Sequence, residues 1–523
     1  MSRAVAHVGW TCPARRGGPV RRRHNRAAAS VAPGPDDPSL PALDHDARCT
    51  MSSSSPYTAG FESLERETDG ESLDVEGTIP EWLSGRLLRT GPAKFEVGDE
   101  TYNHWFDGLA MLHRFGLRDG DVSYRNRFLR SGAFEDATAE ERIVRSEFGT
   151  DPCRSIFGRI MSFFSQKTVD NGNVNVAAYG DAYVSMTETP FPIAFDPDTL
   201  ETLGPVPATE NPDADMSTAH PFVDRDAGRA INVTLAFGRT TSYGVVERDF
   251  ASGDRRLLRE IETDDPSYLH SFGVTDEYVV LAGFPLVFDT MALLLRSGTF
   301  ADALEWKPEL GTRFWAVRRS DGELAGQWRG PARFGFHHVN AFEVDGELQV
   351  DVAAYDDATI VDDLYLDRLR SADTTGPPAG HLERFHLPLD GSSVDVSRRS
   401  DTRIELPRID DRRATRDYQY VWGGGQRKPD NFIDQIVRID IDSGDAETWH
   451  QPGCYPGEPV FVERPDAAGE ADGVLLTVVL DAERDSSFLA VLDAESLDEV
   501  GRARVPHHIP FQFHGNFYPE ETS

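Results

Sequence analysis

The chain has 523 residues, with 53 Lys and Arg against 88 Asp and Glu, a formal charge of −35 and a mean hydropathy of −0.44. Such a balance lacks the basic footprint of a nucleic-acid binder, and the length allows a large core, in several domains or one repeat fold. Lysine is confined to Lys94, Lys167, Lys307 and Lys428. An acid-rich, lysine-poor surface suits a cytoplasm at molar salt, where screening suppresses self-repulsion; an acidic protein at ordinary salt is the plainer alternative.

Residues 1–50 break the pattern, with eight arginines against four aspartates. No apolar run there is long enough for a secretory signal. Residues 1–60 are expected to be a disordered or over-extended N-terminal stretch, with Met51 as the start, and residues 61–523 a single domain. Cys12, Cys49, Cys153 and Cys454 form no close pair, which fits a reducing interior and argues against a thiolate site.

From there the chain reads as strand after strand. Alternating residues, an acidic or glycine turn and a return strand recur from Met111, Pro192, Phe314, Ile436 and Phe488. Hairpins repeated without intervening βαβ helices indicate radial repetition, a β-propeller of six to eight blades; a stacked pair of all-β domains is the rival. Helical periodicity is limited to Ala137–Ser146, Arg159–Ser165 and Thr290–Glu305. Tyr278–Leu295 approaches spanning length but contains Pro285 and Asp289, so it reads as a strand followed by an apolar loop or short helix. Exposed, it would form an apolar lip.

The most telling stretch is Phe334–Asp351, FGFHHVNAFEVDGELQVD, a hairpin opening on two adjacent histidines. Neighbours on a strand face opposite ways, so only one of His337 and His338 can look inward. Three other histidines share this aromatic, strand-edge setting: His220 in AHPFVD, His270 in YLHSFG and His514 in FHGNF. Inner strands of different propeller blades converge on the axis, so these four could meet. Four imidazoles suit Fe, Zn, Cu or Ni; four packing histidines remain the alternative. Glu405 in IELPRI and Glu458 in YPGEPVFV lie in apolar, proline-containing runs, where an unpaired carboxylate is costly.

These segments, with NHWFDG from Asn103 and the strand running to Glu188, resemble the carotenoid cleavage oxygenase family from Val75 to Tyr518. The resemblance implies an all-β fold, a seven-bladed β-propeller with helical inserts over the metal-bearing face. It places non-haem Fe(II) on His220, His270, His337 and His514, with His338 not a ligand, and Glu188, Glu405 and Glu458 on the ligands' outer nitrogens. Three glutamates leave one histidine, expected to be His220, without a carboxylate. Phe222 stands where relatives often have a second histidine, and GFPL from Gly283 lacks an acidic residue that many carry before the proline.

The implied reaction is dioxygenase cleavage of a polyene C=C bond by O2 to give aldehydes, most simply β-carotene to retinal. No protein acid, base or nucleophile is expected to be essential. Apocarotenoid or stilbene cleavage, or a carotenoid-binding propeller without turnover, are the alternatives. Phe284, Leu294, Leu295, Phe336 and Phe513 are expected in the tunnel or its entrance, with Phe163, Phe164, Phe334 and Phe511 as further candidates. The expected partners are a carotenoid or apocarotenoid, O2 and a membrane surface, in the cytoplasm.

Overall fold

Asp119 and Gly120 have φ of 52° and 83°, and Asp345 and Gly346 have 49° and 85°. Two successive left-handed residues make the tight hairpin turn whose twist matches that of its strands. The first pair joins Leu109–Arg118 to Asp121–Phe128 and the second joins His338–Val344 to Glu347–Ala354. A longer loop recurs in four hairpins: the Oδ1 atoms of Asp196, Asp249, Asp440 and Asp493 each accept the backbone N–H of the Thr or Ser three residues on. The next residue is left-handed in every copy: Leu200, Gly253, Gly444 and Leu497. Leucine pays about 1–2 kcal/mol for that conformation. Leu200 and Leu497 are 0% and 3% exposed, and burying a leucine returns about as much or more.

The computed structural model describes residues 56–520, apart from 153–168, 207–213, 226, 239, 296–297, 372–375 and 429–430. The expectations for residues 1–55, for Arg159–Ser165 and for Phe163 and Phe164 lie outside the described residues; at the end of the 1–60 stretch expected to be disordered, Pro56–Phe61 instead forms a 3₁₀ helix that buries Tyr57 and Phe61.

Seven antiparallel blades form the fold, within the six to eight that the hairpin repeat indicates and as the family resemblance implies. The first is built from Thr68–Ser72, Asp121–Phe128, Leu109–Arg118 and Gly85–Lys94, and the last strand of the chain, Gly515–Pro519, completes it by pairing with Gly85–Arg89. The last blade is finished in the reverse sense, by Asp74–Gly77 against Glu499–Arg504. Strands near both ends of the described residues are therefore stitched into the ring. The fifth and sixth blades share one long strand, Asp395–Arg408, which pairs first with Gly380–Pro388 and then, after a register shift, with Tyr420–Gly425.

Inner strands are broken where the site is built. Met216–Ser217 and Phe222–Asp224 both pair with Arg229–Ala236, leaving His220 in the gap. Cys454–Pro456 and Val460–Glu463 both pair with Gly473–Asp481, leaving Glu458 in the gap.

Two helical readings shift. The helix expected at Ala137–Ser146 runs Gly132–Glu140, because Ser131 caps it through Phe134 N–H and Glu141 ends it at φ 49°. The helix expected over Thr290–Glu305 stops at Leu295; a 3₁₀ turn at Ala301–Ala303 and a strand at Leu304–Trp306 follow, the strand pairing with Leu286–Phe288. That pairing draws Phe284, Leu286, Val287 and Phe288 into the core, each at most 4% exposed. The apolar lip expected around Phe284 is thus buried; beyond it Met291 is 61% exposed. No helix among the described residues is long and apolar enough to cross a membrane.

Candidate metal centre

Each blade supplies one residue. His514 comes from the first, Glu188 from the second, His220 from the third, His270 from the fourth, His337 from the fifth, Glu405 from the sixth and Glu458 from the seventh. The four imidazoles converge, with their ligand-capable nitrogens all within 4.8 Å of one another. His338 is not among them: its Nδ1 meets Ser271 Oγ at 2.8 Å, turned away as strand alternation requires.

The glutamates fix the tautomers. His270 Nδ1 lies 2.5 Å from Glu188 Oε1, His337 Nδ1 2.6 Å from Glu405 Oε2, and His514 Nδ1 2.8 Å from Glu458 Oε1. A carboxylate only accepts, so Nδ1 carries the proton and Nε2 keeps its lone pair. No carboxylate bonds to His220 among the described residues. His337 Nε2 then faces His514 Nε2 at 3.1 Å, and His220 Nε2 faces His270 Nε2 at 3.0 Å. In the His337–His514 pair both nitrogens keep their lone pairs and cannot hydrogen-bond to each other; a cation between them removes the conflict. Burial holds two of these rings neutral, as ligation requires: it pushes His514 down to about 3, against the pull of Glu458, and with the neighbouring imidazoles it pushes His220 well down. Four neutral nitrogen donors fit Fe(II) and leave its charge uncompensated.

The carboxylates are themselves held. Tyr268 Oη donates to Glu188 Oε1 at 2.7 Å and Tyr355 Oη to Glu405 Oε1 at 2.8 Å. Leu406 N–H, on a residue with φ of 50°, adds a 2.6 Å bond to Glu405 Oε2. Glu458 instead meets two guanidinium groups, Arg408 at 2.8 Å and Arg89 at 3.3 Å. Burial raises its pKa, but Arg408 and then His514 more than offset this, so the carboxyl is held below its ordinary range. None of these five supports is marked by the sequence motifs. Signals existed: Tyr268 sits two residues before His270, and Arg89 is a lone charge inside LLRTGPA.

Aromatic rings close one flank. Phe336 stands edge-on to His270 at 5.4 Å between ring centres, Phe513 packs on Trp105 at 4.5 Å, and Phe106 lies 6.0 Å from Phe336 and 5.2 Å from Phe513. Phe106 is set by the NHWFDG segment: His104 Nδ1 accepts its N–H, and Asp107 accepts from His104 N–H, Gly149 N–H and Thr150 Oγ1. Phe334 backs Phe336 at 4.9 Å, and Phe511 stacks on Phe432 further out at 4.4 Å. Phe284 touches Phe334 and the non-ligand His338. The side chains of Leu294 and Leu295 lie outside the described residues. A polar cavity of about 890 Å³ reaches the same centre, lined by His220, His337 and His514 with Asn175, Asn340 and Asn516.

Comparison with known proteins agrees with this architecture. The family model "Retinal pigment epithelial membrane protein" matches residues 61–519. A mitochondrial carotenoid-cleaving dioxygenase of Homo sapiens is 34% identical, over 87% of this chain and 90% of its own length. A β,β-carotene 15,15′-dioxygenase of Gallus gallus is 33% identical, over 86% of this chain and 95% of its own. Among solved structures, an ACO/RPE65 chimera superposes with a TM-score of 0.80 at 25% identity, covering 89% of this chain and 98% of its own. Cobalt-substituted Synechocystis ACO gives 0.79 at 25% identity, with the same coverage. With its propeller, its four-histidine centre and these matches, the chain belongs to the retinal pigment epithelial membrane protein family, that of the carotenoid cleavage oxygenases.

Proposed function

We propose that the protein cleaves β-carotene at its central double bond, consuming one O2 and placing one oxygen atom on each carbon of the broken bond to give two molecules of retinal. The coarser statement, a carotenoid-cleaving non-haem Fe(II) dioxygenase, rests on family membership and on the four converging imidazoles. The central bond is the finer reading, and what supports it is the likeness to the Gallus gallus relative named for that reaction.

His220, His270, His337 and His514 would hold the ion through Nε2. The ion supplies the redox chemistry that lets dioxygen react with a closed-shell polyene. The chain's own residues position and exclude. Glu188, Glu405 and Glu458 keep the Nδ1 protons in place and the rings oriented. Phe106, Phe336 and Phe513 offer flat apolar faces beside the centre, which keep water from one flank and align a conjugated chain. No side chain in this set is required to give or take a proton.

A C40 carotene is nearly insoluble, so contact with a membrane surface belongs to this reading, and we place it at Thr290–Leu295. Met291 supports that placement, as one of few large apolar side chains exposed among the described residues. The observation that carries the metal-dependent part of this reading is the facing of His337 and His514 Nε2 at 3.1 Å with both tautomers fixed. The test is product analysis after anaerobic iron loading and exposure to β-carotene and O2. Retinal as the sole product is expected; two fragments of unequal length would overturn the central-bond assignment.

A further inference from the structure

Arg408 lies on the strand that carries Glu405 yet serves another carboxylate. Its Nε donates to Glu458 Oε1 at 2.8 Å, and that same oxygen accepts His514 Nδ1, also at 2.8 Å. Its remaining nitrogens hold Asn516 Oδ1 at 3.2 Å and the Gly515 carbonyl. On the far side, Arg89 Nη1 reaches Glu458 Oε2 at 3.3 Å. Glu188 and Glu405 differ: their side-chain donors other than histidine are the neutral hydroxyls of Tyr268 and Tyr355.

The difference has an electronic consequence. A carboxylate strengthens an imidazole ligand by accepting its outer N–H, which pushes electron density toward the metal-facing nitrogen. A guanidinium sharing the same oxygen draws that density away, and charge-assisted bonds are roughly twice as strong as neutral ones. Arg408 also sets a fixed positive charge one residue away from a site built for a dication. We propose that Arg408 is a positioning residue that makes His514 the weakest donor of the three carboxylate-backed histidines, so that the donor set is graded and not uniform. This rests on the reading of the four histidines as a metal centre.

Ordinary support and graded donation predict opposite signs. Loss of a group that merely supports a ligand costs about 10–100-fold in metal affinity. If Arg408 weakens donation, its removal strengthens binding. The experiment is titration of the full-length apo-protein with Co(II) against a competing chelator, with the ligand-field absorption bands recorded. Arg408→Gln, which keeps an N–H for Glu458 but not the charge, should bind Co(II) about threefold or more tighter than wild type, with bands moved to shorter wavelength. Arg408→Lys keeps the charge and should stay within about twofold of wild type in both readings. Tyr355→Phe should bind more weakly.

Weaker binding by Arg408→Gln, or unmoved bands, overturns the proposal. Should that variant not fold, Arg408→Lys still decides: a tenfold loss there would show that the fork's geometry matters and not its charge. Failure of wild type to bind Co(II), or binding that survives His337→Ala, would instead overturn the metal-centre reading.

Discussion

Glu405 Oε2 takes two donors at 2.6 Å, His337 Nδ1 from the neighbouring blade and the N–H of its own successor, Leu406. Leu406 itself sits at a φ of 50°, unusual for a branched side chain. The carboxylate is thus held by its own strand while it reaches across a blade boundary to His337. Glu405→Gln should keep the shape but remove the charge that strengthens His337. Fe(II) affinity should fall about 10–100-fold, measured by chelator competition, while exposed Glu495→Gln in a hairpin turn stays at wild type. Equal affinities for the two variants would remove Glu405 from the centre.

The FHH pair offers a sharper contrast. His337→Ala removes a nitrogen from the converging set and should abolish iron loading. His338→Ala removes a ring bonded to Ser271 and should retain the metal, at some cost in packing against Phe284. Iron content by elemental analysis decides between them, and similar losses in both would mean that the inward-facing histidine is misassigned.

Much of this was legible in the sequence because it is local. The Asp-x-x-Ser/Thr loops announce hairpins, since the side chain that makes the turn lies within the turn. The four histidines stand out because each sits in a gap of an inner strand or just before one, between small or aromatic neighbours. What escaped depends on contacts distant in sequence. Arg408 lies 50 residues from Glu458 and Arg89 lies 369 away, and nothing local marks either as a carboxylate partner. The burial of Phe284–Phe288 follows from a strand at Leu304–Trp306, which a long helical reading of Thr290–Glu305 hides. The helix begins at Gly132, five residues before Ala137, because Ser131 caps it through Phe134 N–H.

Charge makes a prediction about the whole fold. At −35, like charges repel across the surface, and the cost falls as the Debye length shrinks from about 10 Å at 0.1 M salt to about 3 Å at 1 M. The melting temperature should therefore rise between 0.1 M and 2 M KCl, and NaCl should act similarly if screening is the cause. A melting temperature independent of salt would show that ion pairs such as Arg384–Asp351 already neutralise the charges that matter.

Met291 gives the most direct test of how an insoluble substrate reaches the centre. It is 61% exposed on the short helix Thr290–Leu295, whose start is tied down by Asp289 accepting the N–H groups of Met291 and Ala292. Leu293, two residues on, packs against the core. A protein surface that docks on lipid buries apolar side chains in the headgroup boundary, and a charge there opposes docking. Met291→Glu should therefore reduce binding to phosphatidylcholine vesicles and slow turnover of β-carotene embedded in them. Thermal stability, and turnover of a short detergent-dispersed apocarotenoid, should stay near wild type because the side chain contributes little to packing. Leu293→Ala is the counterpart: truncating a leucine that packs on the core costs up to about 2–5 kcal/mol, so it should lower the melting temperature and harm both substrates alike. If Met291→Glu leaves vesicle binding and embedded turnover unchanged, the docking surface lies elsewhere on the molecule.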